Sequence, residues 1–78
     1  MTRQEIVDRH LTRVIQHEIE RKILTKEKDR GGLRSHIFRI NHQYPPSLRD
    51  QGMVEFLHEQ IGVINSEIEE LKLELIKL

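Results

Sequence analysis

The chain predicts an all-α fold. Two amphipathic helices are joined by a short strand or extended basic loop, helix two is coiled-coil-like, and the protein is expected to be a homo-oligomer. Three observations predict this. Apolar residues recur every four positions through the first third of the chain. They recur in strict 3-4 alternation through the last third. The stretch between, "RGGLRSHIFRINHQYPPSLR", opens on paired glycines and holds paired prolines and no carboxylate. Seventy-eight residues allow one domain and only a modest core, for which oligomerisation is a usual reinforcement.

The first helix is expected over residues 3–29. Thr2 and Glu5 fit a capping box, in which a hydroxyl at the helix start accepts from an otherwise unpaired backbone N–H. Val7, Leu11, Ile15, Ile19 and Ile23 follow at steps of four, with Ile6, Val14 and Leu24 beside them. At 3.6 residues per turn each step of four drifts about 40°, so the stripe wraps nearly half the helix. Such an arc calls for more than one neighbour. Lys26, Lys28 and Arg30 suit the negative end of the helix dipole. Gly31 and Gly32 then supply a left-handed stop.

Residues 30–47 are expected to form the basic loop, with a short strand at Ser35 to Ile40, where "SHIFRI" is rich in β-branched and aromatic residues. A lone strand leaves its backbone unpaired, so its natural partner is the same strand of a second chain. Tyr44 and Pro45 each precede a proline and are held extended.

The second helix is expected over residues 48–78. Ser47 and Asp50 resemble another capping box. Val54, Leu57, Ile61, Ile64, Ile68, Leu71, Leu75 and Leu78 keep heptad spacing throughout. With β-branched residues at most a positions and Leu at most d positions, they read as the oligomer seam of a parallel two-stranded coil. The inner face of a hairpin against helix one is the other reading of the same pattern.

Charge is zero overall but unevenly placed. Residues 1–29 carry seven basic and six acidic groups, residues 30–49 four arginines and no acid, and residues 50–78 two lysines and seven acids. A neutral chain is not expected to coat nucleic acid, but its basic middle suits a small anion. Arg30, Arg34, Arg39 and Arg49 offer forked donors for phosphate oxygens, flanked by His36 and His42. Phe38 and Tyr44 offer rings on which a base stacks. The alternative role for these cations is to neutralise helix two.

Other chemistry has little support. There is no Cys, which excludes disulfides and thiolate metal sites. His10, His17, His36, His42 and His58 lack the spacing of a zinc site, so no metal and no cofactor are expected. No nucleophile elbow, Walker loop or paired-carboxylate signature occurs, so an enzyme is not expected. The opening "MTRQEIVDRH" has no apolar signal core and no run suits a membrane span, which points to the cytoplasm.

The segment "FRINHQYPPSLRDQGMVEFLHEQI", Phe38 to Ile61, resembles certain small phage anti-defence proteins, helical oligomers that act as sponges for cyclic nucleotide immune signals. The shared features are an aromatic and a His before a proline, a polar turn, and an amphipathic helix beginning near Gln51. The resemblance covers about a third of the chain and implies that Asn41, His42 and Tyr44 lie near a ligand whose phosphates meet basic side chains. It implies action in a host cytoplasm.

Three functions follow as expectations. The first is sequestration of a small phosphorylated nucleotide, cyclic or linear, at an inter-subunit pocket lined by residues 30–49. The second is a protein-binding adaptor or inhibitor acting on a host protein through its helical faces. The third is a β-ribbon nucleic-acid binder, against which the zero net charge counts.

Overall fold

The computed structural model describes residues 1–78 and is a two-helix hairpin. Helix α1 runs from Arg3 to Gln43, a single 3₁₀ turn covers Pro46–Leu48, and helix α2 runs from Gln51 to Lys77. The molecule is a rod of 68 × 16 × 11 Å. No helix is long and apolar enough to cross a membrane.

Both helix starts use a side-chain cap. The Thr2 hydroxyl accepts from the Glu5 amide at 3.2 Å. Asp50 caps α2, its carboxylate accepting from the Met53 amide at 3.0 Å. The second cap is therefore Asp50, and the expected Ser47 lies one turn earlier in the 3₁₀ segment. Helix α1 ends where Tyr44, extended at φ −112° and ψ 138°, meets Pro45.

The middle of the chain corrects the sequence reading. Residues 30–43 are neither loop nor strand but the last third of α1. Gly31 and Gly32 have no positive φ and stop nothing. The physical reason is periodicity. Ile19, Ile23, Lys26, Arg30, Leu33, Ile37 and Ile40 continue one 4-3 alternation straight through the glycine pair. Two interior glycines cost about 2 kcal/mol together relative to alanine. Burying Ile37 and Ile40, 8% and 9% exposed, returns roughly 1.5–3 kcal/mol each. Tertiary packing outweighs local propensity.

The heptad run of α2 forms the inner face of the hairpin, its residues closing against α1 of the same chain. Near the turn, Leu57 and Ile61 pack with Ile37 and Ile40, joined by Leu33 and Val54. Near the open end, Ile68 packs with Ile19 and Ile23, joined by Ile64, Leu71 and Leu75. Leu78 remains half exposed at the α2 terminus. Between the two clusters lies a polar layer. Lys26 pairs with Glu67, and the Arg30 guanidinium donates to the Asn65 side-chain oxygen at 2.9 Å.

This register leaves the helices unequal. Lys26 lies beside Glu67 and Arg30 beside Asn65. The end of α2 therefore reaches only to about the level of Gln16, given 1.5 Å per residue on both helices. The first turns of α1 extend about 20 Å past it as an unpaired arm.

The glycine pair yields a direct test. A Cβ added at Gly31 or Gly32 meets no atom within 4 Å. Gly31→Ala and Gly32→Ala should each stabilise the protein by about 1 kcal/mol. Urea melts followed by circular dichroism read this. A left-handed turn at this site would give destabilisation instead.

Candidate functional site

The nine residues expected to line a ligand site fall on one stretch of α1 and the turn after it, but they do not converge. Arg34, Phe38 and His42 are spaced by four and share one exposed flank of α1. The Phe38 and His42 rings stack, with centroids 3.9 Å apart and planes 18° from parallel. His42 Nδ1 lies 2.9 Å from the Phe38 carbonyl oxygen, which can only accept, so Nδ1 carries the donated proton. Arg34, Ser35, Phe38 and Arg39 line a shallow open depression beside this pair. Neither Arg34 nor Arg39 forms an ion pair.

The other candidates have separate places. Arg30 belongs to the polar layer of the seam. Asn41 is half-buried at the seam edge. Arg49 closes the turn, its Nε donating to the Tyr44 carbonyl at 3.0 Å. Tyr44 itself stands exposed. His36 lies about 160° around α1 from Phe38, on the opposite flank, at 100° per residue. The basic stretch is therefore divided between a seam contact, a turn lock and one open aromatic–arginine face. No group of three or more His, Asp or Glu side chains is placed to hold a metal.

A second surface is the arm. The α1 positions that continue the seam toward the N-terminus are polar: Gln16, Thr12, Arg9 and Glu5. The seam loses its apolar character where α2 runs out. The arm's apolar residues have rotated about 145° from that line, nearly to the opposite face, at 100° per residue. Val7, Leu11, Val14 and Ile15 form this stripe, with exposures of 44%, 52%, 41% and 44%. Ile6, on the far side of the arm, is 56% exposed. The wide arc read from the sequence is thus two stripes, one satisfied within the chain and one open. The signal that separates them is the change of phase between Ile15 and Ile19.

Helix α2 carries an open stripe as well. Met53, Phe56 and Val63 are 42%, 52% and 52% exposed, with half-buried Gln60 between them in 3-4-3 spacing. Comparison with protein families, with characterised proteins and with solved structures finds no match to this chain.

The open face and the seam separate cleanly by substitution. Phe38 is 61% exposed and its neighbour Ile37 is 8% exposed. Phe38→Ala and Arg34→Ala should change stability by no more than about 0.5 kcal/mol, as for surface positions. Ile37→Ala should cost about 2–4 kcal/mol. Thermal melts of the three variants check the contrast.

Proposed function

We propose that this protein is a binding module for other polypeptides, acting through the arm of α1. The observation that carries the reading is the stripe Val7, Leu11, Val14 and Ile15, held on a rigid helix with no intramolecular neighbour. An amphipathic helix of this kind docks by laying successive i, i+4 and i+7 side chains against a partner groove or helix. Arg3, Arg9 and Arg13 give the arm a mixed polar rim against Glu5 and Asp8. The binding needs no reacting group, and cytoplasmic action suits a chain without cysteine.

Capture experiments from the native host test this. Leu11→Asp puts a charge in the stripe without touching the seam. It should abolish recovery of bound protein while the far-ultraviolet spectrum stays unchanged. Undiminished recovery with Leu11→Asp would refute the arm as the binding surface.

A second reading is favoured by one feature, the unpaired Arg34 and Arg39 beside the stacked Phe38–His42 pair. This face suits a phosphorylated nucleotide, with arginine forks on phosphate and a ring stack under the base. A panel of linear and cyclic nucleotides should then raise the melting temperature. Arg34→Ala should weaken the affinity ten- to a hundred-fold, since a charge-assisted hydrogen bond contributes roughly 1.5–3 kcal/mol. No shift with any nucleotide in the panel would eliminate this reading.

A further inference from the structure

We infer that the outer face of α1, the one turned away from α2, docks on an anionic lipid surface. The observation that carries this is a straight basic face that runs the length of the helix and holds no carboxylate. It goes beyond the polypeptide reading of the arm, and Leu11 and Ile15 lie outside it.

The face is defined by the seam. The α1 seam positions from Ile19 to Ile40 average to one direction, and the opposite line points away from α2. At 100° per residue, Arg3, Arg13, Arg21, Lys28 and Arg39 all lie within about 50° of that outward line. His10, His17 and His42 lie within about 30° of it. The acids of α1 all lie about 70° or more away. The five cations are exposed, and none forms an ion pair. The line has a fixed direction, so the face does not wind around the rod. From Arg3 to Arg39 it extends about 54 Å at 1.5 Å per residue.

Helix α2 carries the opposite charge on the opposite side. Glu55, Glu59 and Glu70 lie within about 30° of the line leading away from α1. The zero net charge is therefore the sum of a basic face and an acidic face. Two helix diameters of about 10 Å each separate them. The Debye length at physiological salt is about 8 Å. A surface lying on α1 meets the cations and is screened from the acids. Clusters of roughly four to eight Lys or Arg on one helix suit anionic lipid, each contributing about five-fold in affinity.

Two features favour lipid over nucleic acid. Ile6, Val14 and Leu24 stand among the cations, 56%, 41% and 66% exposed. Aliphatic side chains gain by entering the acyl boundary, whereas phosphate and sugar offer them nothing. The face is also straight, as a membrane plane is, while the phosphates of a duplex follow a helical track. Gly31, Gly32 and Ser35 lie on the same face between Lys28 and Arg39. Such small side chains let the backbone lie close to the surface, so that both cations reach it together.

Cosedimentation with phosphatidylcholine vesicles, with and without roughly a third phosphatidylserine, tests this. The wild type should pellet only with the anionic vesicles, and about 0.5 M salt should release it. Lys28 and Lys77 sit on the two opposite outward lines of the rod. Lys28→Glu should weaken vesicle binding about 25-fold, two units of charge at roughly five-fold each. Arg21→Glu should repeat this at a second position. Lys77→Glu makes the same change in net charge on the far side and should weaken binding less than about two-fold. Leu24→Ser should weaken it several-fold with the charge unchanged. Circular dichroism should show every variant as helical as the wild type.

Failure to pellet with the anionic vesicles at low salt, equal pelleting with phosphatidylcholine alone, or equal losses from Lys28→Glu and Lys77→Glu would each overturn the inference. Tight binding to a labelled DNA duplex, with vesicle binding unmoved by Leu24→Ser, would assign the face to nucleic acid instead.

Discussion

The polar layer between Lys26 and Glu67 and between Arg30 and Asn65 sets the register on which the rest of the molecule depends. Two apolar helices with heptad spacing can slide past one another by a heptad and still bury Ile and Leu. Here such a slide would set Lys26 and Arg30 against Gln60 and His58 in one direction, and Arg30 against Lys72 in the other. Either alternative loses the paired contacts of two half-buried cations. The ion pair itself is partly exposed and adds little net stability. Its contribution is to make one alignment better than its neighbours, as single polar seam residues do in coiled coils.

That alignment determines the functional surfaces. It stops α2 at about the level of Gln16 and leaves the start of α1 as an arm. It also brings the turn close to Ile40 and Val54, which holds the Phe38–His42 stack on an open flank of a continuous helix. Both candidate surfaces therefore sit on rigid helix and not on a flexible loop. A binding surface of this kind loses little conformational entropy on association, because its backbone is already ordered. The cost falls on the isolated chain. Only seven side chains are buried, and sixteen large apolar ones stand exposed. For so short a chain that distribution favours states in which something covers the open stripes.

Helix existence, helix type and the first cap were legible in the residues. Thr2 announces its helix because a short oxygen-bearing side chain is what an unpaired N-terminal amide needs, whereas the second cap falls at Asp50, three residues after the Ser47 read for it. The heptads of α2 announced a seam, and the four-step stripe of α1 announced an arc too broad for one neighbour. The acid-free stretch was visible too, and so were its arginines. What the stretch would fold into was not. Gly31-Gly32 followed by β-branched residues is a local argument for a stop and a strand, and it is a sound local argument. It is overridden by partners distant in sequence: Val54, Leu57 and Ile61 supply the apolar surface that makes Leu33, Ile37 and Ile40 worth holding in a helix.

Which chain the seam closes on was likewise beyond local reading, because an a/d pattern specifies a neighbouring helix but not its covalent connection. The turn decides it. Pro45-Pro46, the 3₁₀ turn and the Arg49–Tyr44 hydrogen bond reverse the chain within a few residues. That brings α1 to α2 at a far higher effective concentration than any second molecule. Periodicity and capping are properties of neighbouring residues and are written in the chain. The helical fate of residues 30–43, the intramolecular seam and the unpaired arm come from contacts between distant segments. Only the folded hairpin, with its register and its unequal helix lengths, decides them.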